Sequence, residues 1–445
     1  MTLLHIAAEE GTVKIVRFLL NSLKGRKKIL KSLVEATTNY DDYYENTIAL
    51  HLAAAGGYLD VVQCLVEHSA NVNVKSNDGE TVLHRAAQWD KWDVVQWLVT
   101  HGADVNVTSN DGETIVHWAA KYDKWNFVQW LVEHGADVNV KSTDGETVLH
   151  WADWGNFDVV QCLVAHGADV NAKSKYGQTV LHCAARSNLV VVQWLVEHGA
   201  DVNTKSNDGV TVLHCAARGK LDVVQWLVEH GADVNVKSND GVTVLHYAAQ
   251  GNLDVVQWLV EHGSDVNATD IDGKTVLHYA DQSKLDVVQW LVEHGADVNA
   301  TDIDGKTVLH SAAKFNKCDV VQWLVEHGAD VNATDIDGKT VLHSAAKYNK
   351  CDVVQWLVEH GADVNTKSKD GKTVLHYAAQ SKLDVVQWLV EHGADVNATD
   401  IDGKTVLHSA AEYNNWDVIQ WLVEHGADVN ATDIDGKTLL NLADE

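Results

Sequence analysis

A histidine recurs along this chain at almost constant spacing. It closes the tetrapeptide TVLH, or a near variant, at thirteen positions from His5 to His408. After a first gap of 46 residues, every interval is 32 or 33. Such a period leaves few architectures open, because each unit is one supersecondary element that buries its apolar face only against its neighbours. A second histidine ends each long apolar stretch, in EHG or a variant, at twelve positions from His68 to His425. The two columns account for all 25 histidines. Length alone would suggest about three domains, whereas the period predicts one array over residues 1–445.

Residues 373–404 show one repeat, TVLHYAAQSKLDVVQWLVEHGADVNATDIDGK. Thr is placed to cap a short first helix whose two Ala allow close packing. After a polar break, LDVVQWLVEH predicts a second helix, ended by Gly. Its apolar stripe is too wide for a one-sided surface helix, so neighbours must cover it on more than one side. The Asn-, Asp- and Gly-rich segment that follows predicts a hairpin-like turn, with Gly where φ is positive.

The strings DGKTVLHYAA and HGADVN, repeated over essentially the whole chain, resemble the ankyrin repeat family. This chain departs from that motif in having Val for its Pro, Trp in the second helix, and some units one residue short. The resemblance implies an all-α solenoid of stacked antiparallel helix pairs, with turns projecting as fingers and a concave face formed by first helices and fingers. A fourteenth repeat begins at Thr438 and covers only 438–445. One stretch, 24–46, breaks the period with a basic and then an acidic run. Five basic residues lie between Lys24 and Lys31, and the expectation is that this insertion extends or caps the first helix pair, with nuclear import as the alternative.

Composition narrows the function. A formal net charge of −29 repels nucleic-acid phosphates and anionic membrane surfaces, so no nucleic acid is expected as a partner. No apolar run reaches the roughly 18 residues that span a bilayer, and the first residues carry no signal-peptide core, so the expected location is cytoplasmic. The six Cys include no CxxC pair and read as reduced thiols.

Each candidate for chemistry has a plainer reading. A column of His spaced one repeat apart, on the order of 10 Å, cannot converge on a metal. DGKT lacks the earlier glycine of a phosphate-binding loop. DIDG lacks the third acidic ligand and closing Glu of a calcium loop. No unique His, Cys or acidic cluster lies outside the repeat, so no catalytic residue, cofactor or metal is expected. The second-helix Trp column is expected to pack between repeats, and Trp92, Trp125, Phe157 and Trp416 are expected in the core.

Specificity should lie where the repeats differ. Repeats of 33 residues tend to carry an aromatic at the end of the first helix: Trp89, Tyr122, Phe315, Tyr348 and Tyr413. With Trp118, Trp151 and Trp154, these form the candidate partner-binding residues, one dense group in repeats 3 to 5 and a looser one in repeats 10, 11 and 13. Paired Asp in the later fingers, as at Asp302 and Asp304, suit a basic partner segment or simply keep the array soluble. The expected function is a monomeric, non-catalytic scaffold that binds partner proteins on its concave face. Near-identical late repeats are compatible with an effector-like, host-interacting protein. The alternative is a structural or elastic spacer.

Overall fold

The computed structural model describes residues 1–38, 46–152, 157–280 and 285–438. Among them are 27 helices, with extended structure limited to isolated bridges. The chain divides into two compact blocks, Met1–Val212 and Leu213–Glu445. Each is a succession of short first helices and longer second helices joined by fingers.

The tenth repeat shows why these residues fold this way. Its first helix spans Val308–Lys314 and its second Cys318–Glu326. Val308, Leu309, Ala312, Ala313, Val320, Val321 and Leu324 are all buried. Each large aliphatic among them contributes about 1.5–3 kcal/mol on burial. Thr307 caps the first helix with extended backbone, φ −88° and ψ 168°. A capping box ordinarily places Glu or Gln at the third helical position, but here that residue is His310. Its Nδ1 accepts the Thr307 N–H at 3.2 Å and faces the Thr307 hydroxyl at 3.0 Å. With Nδ1 accepting, the proton sits on Nε2, which donates to the Lys339 carbonyl of the next finger at 3.3 Å. One imidazole thus closes its own helix and ties it to the finger that leads into the following repeat.

Fingers join each other through the main chain. The Ile336 N–H donates to Asp304 O at 2.8 Å, and the Ile303 N–H to Asp272 O at 2.9 Å. Gly305, between them, has φ +73°, and a Cβ there would lie 2.9 Å from the Ile336 nitrogen. Both the left-handed backbone and the close approach require glycine. A second tie uses Asn299, whose amide donates to Gly328 O at 2.9 Å while its oxygen accepts the Asp330 N–H at 2.8 Å.

The expectation for the second-helix Trp column needs adjusting. These rings are half-buried, and each stacks on the His four residues later in its own helix, as Trp290 does on His294 at 3.7 Å between centroids and 15° between planes. That His donates its Nδ1–H to the Trp290 carbonyl at 2.8 Å, the opposite tautomer to the first column. Trp194 also meets Phe157 of the preceding repeat edge-on at 6.0 Å. Trp92 is core, stacked on Phe127 at 4.7 Å. Trp125 and Phe157 are only partly buried. Trp416 is not core at all: it is 61% exposed, because no later second helix among the described residues covers Trp416–Glu424.

The insertion at 24–46 forms an additional helix, Lys27–Val34, which buries Val34 and leaves its lysines exposed. Thr38 and Thr47 then pair through the Thr38 N–H to Thr47 O bond at 2.9 Å.

Candidate protein-binding surface

Five of the 33-residue repeats carry their extra residue directly after a ring, whereas the second has Gly56 and Gly57 there. Asp90, Asp123, Asn316, Asn349 and Asn414 all lie in the left-handed region, with φ between 53° and 61°. Asn and Asp are the non-glycine residues that enter it most readily. This spacer lets the first helix run seven residues, as in Val82–Gln88 and Val341–Lys347, against five in Val180–Ala184 and Val374–Ala378. The ring becomes the residue that closes the longer helix and points into solvent. Trp89, Tyr122, Phe315, Tyr348 and Tyr413 are 50%, 38%, 50%, 43% and 57% exposed.

The other candidates sit differently. Trp118, 7% exposed, packs edge-on against His84 of the repeat before it at 5.4 Å, so its ring serves packing more than a free surface. Trp151 is half-buried over His117 and donates its indole N–H to Glu146 at 2.7 Å. Trp154 lies outside the described residues. Lys121 links this group, with its ammonium 5.8 Å from the Trp118 ring and 5.7 Å from that of Trp151, and an ion pair to Glu113 at 3.7 Å. Trp118 also meets Tyr122 at 6.0 Å. In the second block, Lys314 joins Phe315 and Tyr348, 5.2 Å from each ring. Each block therefore has its own cluster of rings around a lysine.

The later fingers hold their carboxylates internally. The first of each Asp pair caps the turn: Asp302 accepts the N–H groups of Asp304 and Lys306, both at 2.9 Å. In three of these fingers the second pairs with the following lysine, as Asp304 does with Lys306 at 2.9 Å and Asp337 with Lys339 at 2.8 Å, whereas Lys404 pairs with Glu412. Sequence reasoning missed the isoleucines between them, such as Ile303 and Ile401, which are 66% and 68% exposed.

Reactive groups are quiet. Burial holds His51, His84, His117, His182 and His343 down to about 4, which leaves them neutral and engaged in the capping role. Burial raises the thiols of Cys64, Cys162, Cys318 and Cys351, and none of the six cysteines forms a disulfide. Among the described residues, no three His, Cys, Asp or Glu side chains gather as a metal site, and no helix is long and apolar enough to cross a membrane.

These features define a helical-repeat protein that presents variable rings on a repeated frame. The family model described as Ankyrin repeats (3 copies) matches residues 22–109, 93–174, 155–238, 235–302, 251–335, 296–368 and 366–433, and that described as Ankyrin repeat matches 1–36. The chain belongs to the ankyrin repeat family. Repeats of this family are in general protein–protein interaction modules, and proteins built from them are typically non-catalytic. No curated protein matches the chain.

Proposed function

We propose that this chain is a non-catalytic scaffold that captures partner proteins through the rings at the ends of its longer first helices. The observation that carries this reading is the shared placement of Trp89, Tyr122, Phe315, Tyr348 and Tyr413, each exposed and each held by a left-handed Asp or Asn. Rigid aromatic side chains supply large contact area at small entropic cost, which suits them as anchors. The reading includes an intracellular setting and an effector-like role toward host proteins.

The test is capture from cell lysate by the full chain and by a variant with these five rings changed to Ala. Their exposure means the variant should keep its far-UV circular dichroism. Loss of the captured proteins supports the reading, and unchanged capture refutes it.

The near-identical late repeats favour a second reading, an elastic spacer. Their junctions repeat the same bonds, as Asn267 to Gly295 O and Asn299 to Gly328 O, both 2.9 Å. A spacer would lose nothing when the five rings are removed.

A further inference from the structure

In much of the array, the residue after the motif His lays a ring edge-on against the His of the preceding repeat. Tyr247 does so on His214 at 5.2 Å, Tyr279 on His246 at 4.8 Å and Tyr377 on His343 at 5.5 Å. In repeats 10 and 11 that residue is Ser311 and Ser344. Two successive imidazoles, His278 and His310, therefore carry no ring from the repeat that follows. His278 is 9% exposed, against 0% for His246, which Tyr279 covers.

The missing rings leave a cleft of about 580 Å³. Tyr279 and Tyr377 bound its two ends, and Phe315 and Tyr348 line its mouth. The Tyr279 end is fixed, because its hydroxyl donates to Asp270 at 2.8 Å.

Charge at the cleft is uneven. Lys306 and Lys339 are held by Asp304 and Asp337. Lys314 and Lys347 are exposed and make no ion pair with any described carboxylate; their ammonium groups lie over Phe315 and Tyr348 instead. In a chain of net charge −29, these are two uncompensated cations, one repeat apart, beside the two positions where Ser311 and Ser344 supply no ring.

We propose that this cleft binds an extended acidic peptide segment in which an aromatic residue followed by a carboxylate recurs after three positions. The aromatics take the places of the two missing rings over His278 and His310, and the carboxylates meet Lys314 and Lys347. The spacing agrees: successive helix pairs lie on the order of 10 Å apart, and a polyproline II segment advances about 9 Å in three residues, returning side chains to the same face. The proposal rests on the partner-binding reading above and names the chemistry of one site within it.

The probe is fluorescein-labelled Pro-Phe-Glu-Pro-Phe-Glu-Pro, titrated with the full chain and read by fluorescence anisotropy. Three results are expected. Saturable binding weakens as salt rises; the Lys314→Glu, Lys347→Glu variant binds about tenfold more weakly; and Ser311→Tyr, Ser344→Tyr, which restores the residue found at 279 and 377, abolishes binding while leaving the melting curve intact. Peptides with Gln or Lys in place of Glu should bind the unaltered chain more weakly than the Glu peptide does. Equal binding to all the protein variants, tighter binding of the Lys peptide, or no binding at millimolar concentration overturns the proposal. None of these outcomes touches the wider reading, which fails only if lysate capture survives loss of the five rings.

Discussion

Acid should unfold the first block well before ordinary carboxylate chemistry would. His51, His84, His117 and His182 all lie in Met1–Val212, and burial lowers each from 6.5 to about 4. A depressed folded value means that the unfolded chain binds the proton first. The stability these groups contribute is complete above pH 6.5 and is lost as pH falls toward 4. At pH 5 the unfolded chain holds nearly one proton on each group and the folded chain about a tenth, so each costs about 2 kcal/mol relative to pH 7.5. Four together cost roughly 8 kcal/mol, against a total stability of about 5–15 kcal/mol for a typical domain. The capping tautomer adds to the effect of burial, since a proton on Nδ1 expels the threonine N–H, as at Thr81 and His84, 3.1 Å apart. Glu80 and Glu113, raised by burial, work in the opposite sense, because the folded chain holds their protons to higher pH than the unfolded chain does. In the second block, Asp270, Asp302 and Asp335 oppose the effect of burial on His246, His278 and His310, so that block should yield at lower pH. Urea titrations by far-UV circular dichroism at pH 7.5, 6.5, 5.5 and 5.0, at constant salt, measure the loss. The His84→Gln, His117→Gln variant, which keeps a donor and an acceptor but cannot titrate, should remove about two protons from the linkage. A midpoint that does not move between pH 7.5 and 5, or a Gln variant that keeps the full slope, refutes the argument.

Substitutions at the junctions give further tests. Gly305→Ala should cost about 1–3 kcal/mol in urea unfolding, because the new methyl meets the next finger's backbone at φ +73°. Asn299→Ala removes two bonds to the next repeat and should cost about 1–2 kcal/mol by the same measurement. Asn316→Gly should be neutral within a few tenths of a kcal/mol, whereas Asn316→Val should cost about 1–2 kcal/mol, since a β-branched residue resists φ +61°. Trp416→Ala should change stability by less than about 0.5 kcal/mol, whereas Trp92→Ala should cost about 3–5 kcal/mol, a contrast set by exposure alone.

The legible part of the fold obeyed local rules. Threonine caps, the glycines that end second helices and the turn glycines each depend on a few neighbouring residues, and all stand where the pattern placed them. The link between a 33-residue repeat and an aromatic was also visible, but its cause was not, because the left-handed Asn316 shows only in φ. Trp290 and His294 are four residues apart on one helix, a spacing that announces contact; reading the two columns separately hid the stack. Burial was harder, since it depends on neighbours distant along the chain. Trp92 and Trp416 occupy equivalent positions with opposite exposure, decided by whether a later helix lies over them. The cleft over His278 and His310 was least legible, because it arises from the two rings that Ser311 and Ser344 do not supply.

The histidine bridge has a last consequence, for how such a chain can grow. His278 reaches Lys306 O and His310 reaches Lys339 O, 28 and 29 residues ahead, and Asn299 reaches Gly328 O, again 29 ahead. These junctions are written in the same offsets, and the single-residue difference is absorbed by the left-handed spacer. A copied segment of 32 or 33 residues can therefore enter at any boundary and find its bonds already waiting. A segment of half that length would strand a capping imidazole on one side and an unclaimed carbonyl on the other. The length of this protein is in that sense quantised, free to change by whole repeats and resistant to change by anything less.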